Sequence, residues 1–382
     1  MPVPFDYEIL RLIWWLLLGV LLIGLAIMDG FDFGVASLLP FVAKNDTEKR
    51  IVINTVGPVW EGNQVWLILG GGAVFAAWPA IYAVSFSGFY LAMFVILAAI
   101  ILRPVGFKFR SKVENTTWRN IWDLCLFIGG FIPALLFGVA VGNVLQGVPF
   151  HFDETLRVTY TGTFFELLNP FGLLCGLISL SMFMRHGGVY LALKTEGPIA
   201  NRTKKIVSLM TFVQVILLGT AWWFVTKHLK GFEITSVIDG NGPSNPLNKE
   251  VATGIGSWAK NFAHYPWMWL APLMAFVGLI LSEISMRLKR SGMSFIFSGI
   301  SVFGIVSIAG LMMFPFIFPS SSHPGHSLTV FDASSSKLTL FVMLIAAAIF
   351  VPIVLAYTSW VYHVLRGKIT EKDIQKNKGV MY

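Results

Sequence analysis

Apolar residues run along this chain in nine long stretches, at about 10–41, 55–78, 80–103, 120–146, 163–184, 205–228, 266–288, 293–317 and 337–365. A hydrocarbon core of about 30 Å needs roughly 20 apolar residues per helix. The pattern therefore predicts an all-α polytopic membrane protein with nine transmembrane helices, residues 1–382 forming one integral membrane domain. The first stretch exceeds what a span needs. Gly30 and Gly34 predict a bend or a close helix contact there, and a straight tilted helix fits equally. Gly70-Gly71-Gly72 in the second stretch predicts close helix packing rather than a phosphate cradle, because it lies in hydrocarbon. The first stretch is too long for the core of a cleavable signal and reads as a retained span. The longest polar connections, 229–265 and 318–336, are too small to carry chemistry alone, and no internal repeat is visible.

Charge orients these spans. Of the 28 Lys and Arg, 21 follow odd-numbered spans, among them Arg110, Arg119, Arg202, Arg287 and Lys378, and seven lie on the other side, Arg11 among them. The positive-inside bias then puts the N-terminus outside and the C-terminus inside. The net charge of +8 is thus a signature of topology, and a nucleic-acid partner is excluded. The charged run Arg366-Gly367-Lys368-Ile369-Thr370-Glu371-Lys372-Asp373 reads as a solvated inner tail touching anionic membrane lipid. With 55% hydrophobic residues, 13% charged, 13 Trp and 33 Phe, the chain suits lipid-facing surfaces and aromatic belts.

Against that background, carboxylates inside the spans stand out. Asp29 and Asp32 lie at i and i+3 on one face of the first span, in its inner half. A charge at membrane depth costs at least ~2.5–3.5 kcal/mol, so such groups are paired, face protein or water, and mark a pathway. The second span enters from the inside through Trp60-Glu61-Gly62-Asn63-Gln64-Val65-Trp66, in which Glu61 and Gln64 share one face and Trp60 and Asn63 another. Arg103 closes the third span and Asp123 opens the fourth on that same side. Four carboxylates and one arginine are therefore expected to converge on one level. A buried ion-pair network that only holds helices together would explain them. A proton-entry relay is the reading preferred, because surplus acids crowded around one base are driven toward proton exchange.

Other chemistries are thinly represented. His151, His186, His228, His264, His323, His326 and His363 are expected in loops or near span ends, so the chain alone is a poor haem binder and no metal ligands are assigned. Methionines in apolar runs read as packing. Cys125 and Cys175 lie in apolar runs outside any CxxC pattern and read as small buried hydrophobes. Walker A, dinucleotide-binding and HExxH patterns are absent.

Several motifs, taken in order, resemble subunit II of the cytochrome bd ubiquinol oxidases. They are Ile13-Trp14-Trp15, Asp29-Gly30-Phe31-Asp32-Phe33-Gly34, Trp60-Glu61-Gly62-Asn63-Gln64-Val65-Trp66-Leu67 and Phe75-Ala76-Ala77-Trp78-Pro79. Further along stand Phe86-Ser87-Gly88-Phe89-Tyr90, Arg103-Pro104-Val105-Gly106-Phe107, Leu168-Asn169-Pro170-Phe171-Gly172, Ser244-Asn245-Pro246-Leu247-Asn248-Lys249-Glu250 and Met313-Phe314-Pro315-Phe316. Each is weak alone, and their order and spacing along the whole chain are specific.

The resemblance implies a bacterial inner-membrane complex that oxidises quinol at the outer face and reduces dioxygen to water with cytoplasmic protons. It generates proton motive force without pumping. It implies a subunit I partner in a heterodimer, which ligates two b-type haems and one d-type haem and carries the quinol site. This chain would be a pseudo-symmetric partner of two four-helix bundles plus one peripheral helix. In some members a structural ubiquinone lodges in subunit II, and a small accessory subunit is left open. The resemblance places Glu61 on a proton path with Asp29 and Asp32 nearby and puts Trp66 on an oxygen route; the reading of the membrane-depth residues adds Asp123 to that path, with Arg103, Trp60 and Gln64 in support. One departure is that Glu61 stands where a relative has aspartate, which adds a methylene to its reach. From topology and acids alone, a proton-coupled secondary transporter is the alternative, though broken helices at matched positions in two halves are not evident. A purely architectural acid network, with all proton traffic in the partner, also stays open.

Overall fold

The computed structural model describes residues 3–376, so Lys378, counted above with the inner cations, lies outside the described residues. Helix α1 is Tyr7–Val42, unbroken through Gly30 and Gly34. At 36 residues it extends roughly 54 Å, well beyond the hydrocarbon. Gly34 serves a close helix contact: a Cβ there would run into the Phe183 carbonyl, and one at Gly187 would strike the Gly34 backbone. The expected second span, 55–78, corresponds to α3 (Trp60–Ala77), and a separate α2 (Asp46–Val56) precedes it, the break falling at Gly57-Pro58-Val59. Proline there lacks the N–H that a continuing helix would use. The third divides into α4 (Pro79–Gly88) and α5 (Tyr90–Phe109). Arg103 is thus well inside α5, followed by Pro104, and does not close a span.

Then come α6 (Thr116–Gln146), α7 (Pro170–Lys194), α8 (Gly197–Lys227), the short α9 (Lys260–His264), α10 (Leu270–Arg287), α11 (Ser291–Met313), α12 (Lys337–Val364) and α13 (Glu371–Lys376). Asn169 starts α7, its side chain accepting the Gly172 N–H ahead of Pro170 in the first turn. That places α7 several residues later than the expected 163–184 and carries His186 into the helix interior. Eight of the described helices are long and apolar enough to cross a membrane, namely α1, α5, α6, α7, α8, α10 with its leading turn, α11 and α12. The exception among the expected spans is α3, whose polar first turn and three glycines dilute its 18 residues.

Around α1 pack α3, α6, α7 and α11, with α5 against α6, α8 against α7 and α10 against α11. Helix α12 touches α1 and α3 and buries only Leu340. The glycines 70–72 do not serve a close helix contact: an added Cβ at each meets nothing within 4 Å, although Gly70 itself is buried.

The connections sort onto two ends. At one end lie three antiparallel hairpin sheets, β1 (Phe150–Phe152) with β2 (Val158–Tyr160), β3 (Lys230–Ile234) with β4 (Val251–Ile255), and β5 (Phe316–Phe318) with β6 (Leu328–Thr329). Arg11, fully buried at the start of α1, clasps this cap through Ser334 Oγ (2.8 Å), the Gly240 carbonyl (2.6 Å) and Ser244 Oγ (2.9 Å). Lys249 pairs with Asp332 at 2.7 Å. The His326 Nδ1 accepts the Phe152 N–H at 3.0 Å, with the rings of His323 and then His151 beside it. At the other end α2, the 110–116 turn, the α7–α8 junction and the tail meet. Arg366, Lys368, Glu371 and Lys372 of the tail are exposed, as expected of a solvated run, but the tail is also docked: Lys194 Nζ donates to the Leu365 carbonyl (2.7 Å), the Ile369 N–H to the Lys194 carbonyl (2.9 Å), and Ile374 is buried against α2.

Candidate functional site

Three helices bring the central polar group together. Helix α1 supplies Asp29 and Asp32 from one face, α5 supplies Arg103, and α3 supplies Asn63, all at most 1% exposed. Arg103 Nη2 donates to Asp29 Oδ1 at 2.9 Å and lies 3.8 Å from Asp32 Oδ2. Its guanidinium also sits over the Phe33 ring, 4.4 Å from the centroid. Gly129 of α6 leaves room for the arginine stem, since a Cβ there would be 2.8 Å from its Cγ. Asn63 Nδ2 donates to Asp32 Oδ2 at 2.8 Å, and its own Oδ1 accepts the Tyr362 hydroxyl at 2.7 Å.

The group is short of partners. Asp29 Oδ2, Asp32 Oδ1, Arg103 Nε and Arg103 Nη1 are buried without a hydrogen bond. One cation faces two carboxylates, so full ionisation would leave a net negative charge in a medium that penalises it heavily. A site of this kind relaxes by taking a proton and releasing it when the surroundings change. Its open hydrogen-bonding positions suit water or a proton in transit.

The other expected members lie apart. Asp123 belongs to a separate network at the end of the molecule that holds α2 and the tail, where Arg110 Nε and Lys49 Nζ (2.9 Å) reach it and Arg110 Nη2 also holds Asp46 (3.0 Å). Arg119 reaches that same Asp46 at 3.1 Å. Nearby in α2, burial pushes the Glu48 carboxyl up, but Arg202 at 2.6 Å and the Lys44 N–H outweigh it and hold Glu48 below the usual carboxylate range. Glu61 is exposed on the outward side of α3, 3.9 Å from the equally exposed Lys108. Trp60 and Asn63 take the inward face instead, Trp60 beside Phe107, while Gln64 is half-exposed. Trp66 is buried against α1 at Gly24, where a Cβ would strike its ring.

Two participants escape sequence reasoning. Asn63 has a signal, the Trp60-Asn63-Trp66 spacing that puts one polar group on an otherwise aromatic stripe. Tyr362 has none, for it lies 299 residues away on the last long helix.

A second buried polar group joins α7, α8, α10 and α11. Arg185 donates from Nε to Thr211 Oγ1 (3.0 Å), from Nη1 to Ser298 Oγ (3.1 Å) and from Nη2 to the Leu279 carbonyl (3.2 Å). His186 is not at a span end: it is fully buried, with Nδ1 2.8 Å from Ser298 Oγ and Nε2 3.0 Å from the Ile27 carbonyl. The carbonyl can only accept, so Nε2 carries the proton and Nδ1 accepts from Ser298. Both ring nitrogens are engaged, and neither fits a haem iron. Among the described residues no group of three or more His, Cys, Asp or Glu side chains is arranged to hold a metal. Beside His186 lies an apolar cavity of about 340 Å³ lined by Ile27, Met274, Phe295 and Ile300.

Comparison with known proteins is consistent along the chain. Residues 10–365 match the sequence family described as cytochrome bd terminal oxidase subunit II. A probable cytochrome oxidase subunit 2 of Haemophilus influenzae is 52% identical over 380 residues, covering 99% of this chain and 100% of the relative. The cytochrome bd-I ubiquinol oxidase subunit 2 of Escherichia coli is 49% identical over 377 residues, with coverage of 99% and 100%. A chain in the solved structure of the bd oxidase from Geobacillus thermodenitrificans has the same fold, with a TM-score of 0.68 at 14% identity, covering 93% of this chain and 98% of that one.

Proposed function

The chain belongs to the cytochrome bd terminal oxidase subunit II family, and on that premise we propose that it is the haem-free half of a quinol oxidase and holds its inner proton inlet. It is a subunit of a ubiquinol oxidase complex of the bacterial inner membrane. That complex oxidises quinol and reduces dioxygen to water. Quinol protons leave on the outer side while water formation consumes cytoplasmic protons, so proton motive force arises without pumping. The transporter alternative finds no support among the relatives.

The observation that carries the inlet is the Asp29–Asp32–Arg103 group, acid-rich, buried and left with four unpartnered polar atoms. Asp123 and its partners form the approach from the inner surface. Glu61 is the exit toward subunit I: a carboxylate on an outward helix face at this depth is costly against lipid and is accommodated where a partner covers α3. We assign the two b-type haems, the d-type haem and the quinol site to that subunit I, in keeping with the engaged nitrogens of His186. The cavity beside His186 suits the apolar body of a structural ubiquinone. Trp66, at the notch of Gly24, lies on the oxygen route. In this reading α3 is the ninth span, with the N-terminus outside and the C-terminus inside. One four-helix bundle is α1, α3, α5 and α6, the other is α7, α8, α10 and α11, and α12 is peripheral, an arrangement supported by their mutual contacts.

The test uses the purified complex. Glu61→Gln is expected to slow oxygen reduction severalfold at saturating quinol while the reduced-minus-oxidised haem bands keep their size. Unaltered turnover across pH removes Glu61 from the path. Loss of the bands would make its role structural, and haem bands in a preparation of this chain alone would overturn the division of labour.

A further inference from the structure

The side chain of Asn63 is asymmetric, with a donating NH₂ at one end and an accepting oxygen at the other. Both ends are used in one orientation only: Nδ2 faces the Asp32 carboxylate, and Oδ1 receives the Tyr362 hydroxyl. Tyr362 comes from α12, a helix with a single fully buried residue, Leu340, near its opposite end. A hydroxyl turned inward from such a helix is therefore a specific contact and not a by-product of core packing. Its position is fixed from two sides. The Phe31 ring stands edge-on at 6.4 Å, and the chain just beyond is tied to α7 through Leu365.

We propose that Tyr362 is a positioning residue for Asp32: by donating to Oδ1 it keeps the Asn63 amide turned toward the carboxylate and so sets how readily Asp32 exchanges its proton. This inference rests on reading the acid group as a proton inlet. Charged Asp32 needs a donor, and the present amide orientation supplies one. Protonated Asp32 offers an O–H instead, which suits Oδ1 after the amide turns over, with Nδ2 then donating to the phenol oxygen. The hydroxyl can follow the amide into either orientation because it donates and accepts, but the donating contact present here favours the one that serves charged Asp32. The phenol keeps its own proton throughout, and only Asp32 gains and loses one. A phenyl ring would serve neither orientation.

The experiment measures oxygen consumption against pH at saturating quinol in the intact complex, with haem content read from the absorption bands. Tyr362→Phe is expected to keep the haem content and displace the pH profile to higher pH by roughly half to one unit, the effect of one lost donor on the charged state. Asn63→Leu should displace it at least as far, and adding Tyr362→Phe to Asn63→Leu should change nothing further. A Tyr362→Phe profile superimposed on the unaltered enzyme, or full additivity in the double variant, overturns the proposal. If Tyr362→Phe fails to assemble, Tyr362→His, which restores a donor, decides: a recovered profile supports it and a displaced one overturns it. Asp32→Asn separates the two levels. No effect there sinks the inlet itself, whereas an effect of Asp32→Asn without one of Tyr362→Phe sinks only the role of Tyr362.

Discussion

Two buried arginines, in the two halves of the molecule, are stabilised in opposite ways. Arg103 and Arg185 are each at most 1% exposed. Arg103 faces two carboxylates yet leaves its Nε and Nη1 and two aspartate oxygens without partners. Arg185 has no carboxylate within 4 Å among the described residues, yet its Nε and both Nη atoms are taken by a threonine, a serine and a backbone carbonyl from three different helices. The first arrangement has surplus charge and unmade hydrogen bonds, so small changes in charge nearby can move protons through it. The second is saturated with neutral acceptors and has nothing left to exchange. Buried charge alone is therefore not the basis of the proposed inlet; the mismatch between charge and partners is.

Removing the cation from the first group should have the largest effect. Arg103→Leu leaves two uncompensated buried carboxylates, a penalty of ~3–5 kcal/mol, and haem-bearing complex should be nearly lost from membranes. Arg185→Met orphans three acceptors instead, for roughly 1–3 kcal/mol. Thermal unfolding of the complex should come earlier, while turnover per assembled haem stays the same. A turnover defect in Arg185→Met with intact haem would dissolve the contrast.

The face of a helix can be read from periodicity, but which face turns inward is chosen by neighbours. The spacing correctly paired Trp60 with Asn63 and Glu61 with Gln64. Contacts of α3 with α1 and α12 then decided that Asn63 goes inside and Glu61 outside. Asp29, Asp32 and Arg103 were legible because charge in an apolar run is rare and must be satisfied. Asp123 was misgrouped because proximity of helix ends in sequence does not reveal two separate ion networks. His186 was misplaced because the Asn169-Pro170 start shifts α7 along the chain, and hydropathy is blind to caps. The docking of the tail was missed because the one isoleucine it buries, Ile374, lies just beyond the charged run 366–373.

The smallest expected effect lies on the opposite end of the molecule, in the hairpin cap. Burial, then His323, His151 and Lys249, hold His326 below the ordinary histidine value, and Phe152 donates to its neutral Nδ1. Below about pH 6.5 the unfolded chain takes up a proton that the folded site resists. Stability should therefore fall as pH drops, and His326→Gln should flatten that fall. Melting temperature of the complex against pH reads it, and an unaltered slope would remove His326 as its source.

The inlet itself is tested most directly by proton uptake. In liposomes holding the oxidase with its inner face outward, an oxygen pulse should draw protons from the medium. Asp32→Asn should slow that uptake at least ~10-fold, a barrier change of about 1.4 kcal/mol or more, with haem content unchanged. Uptake at the unaltered rate in fully haem-loaded Asp32→Asn complex would contradict the account.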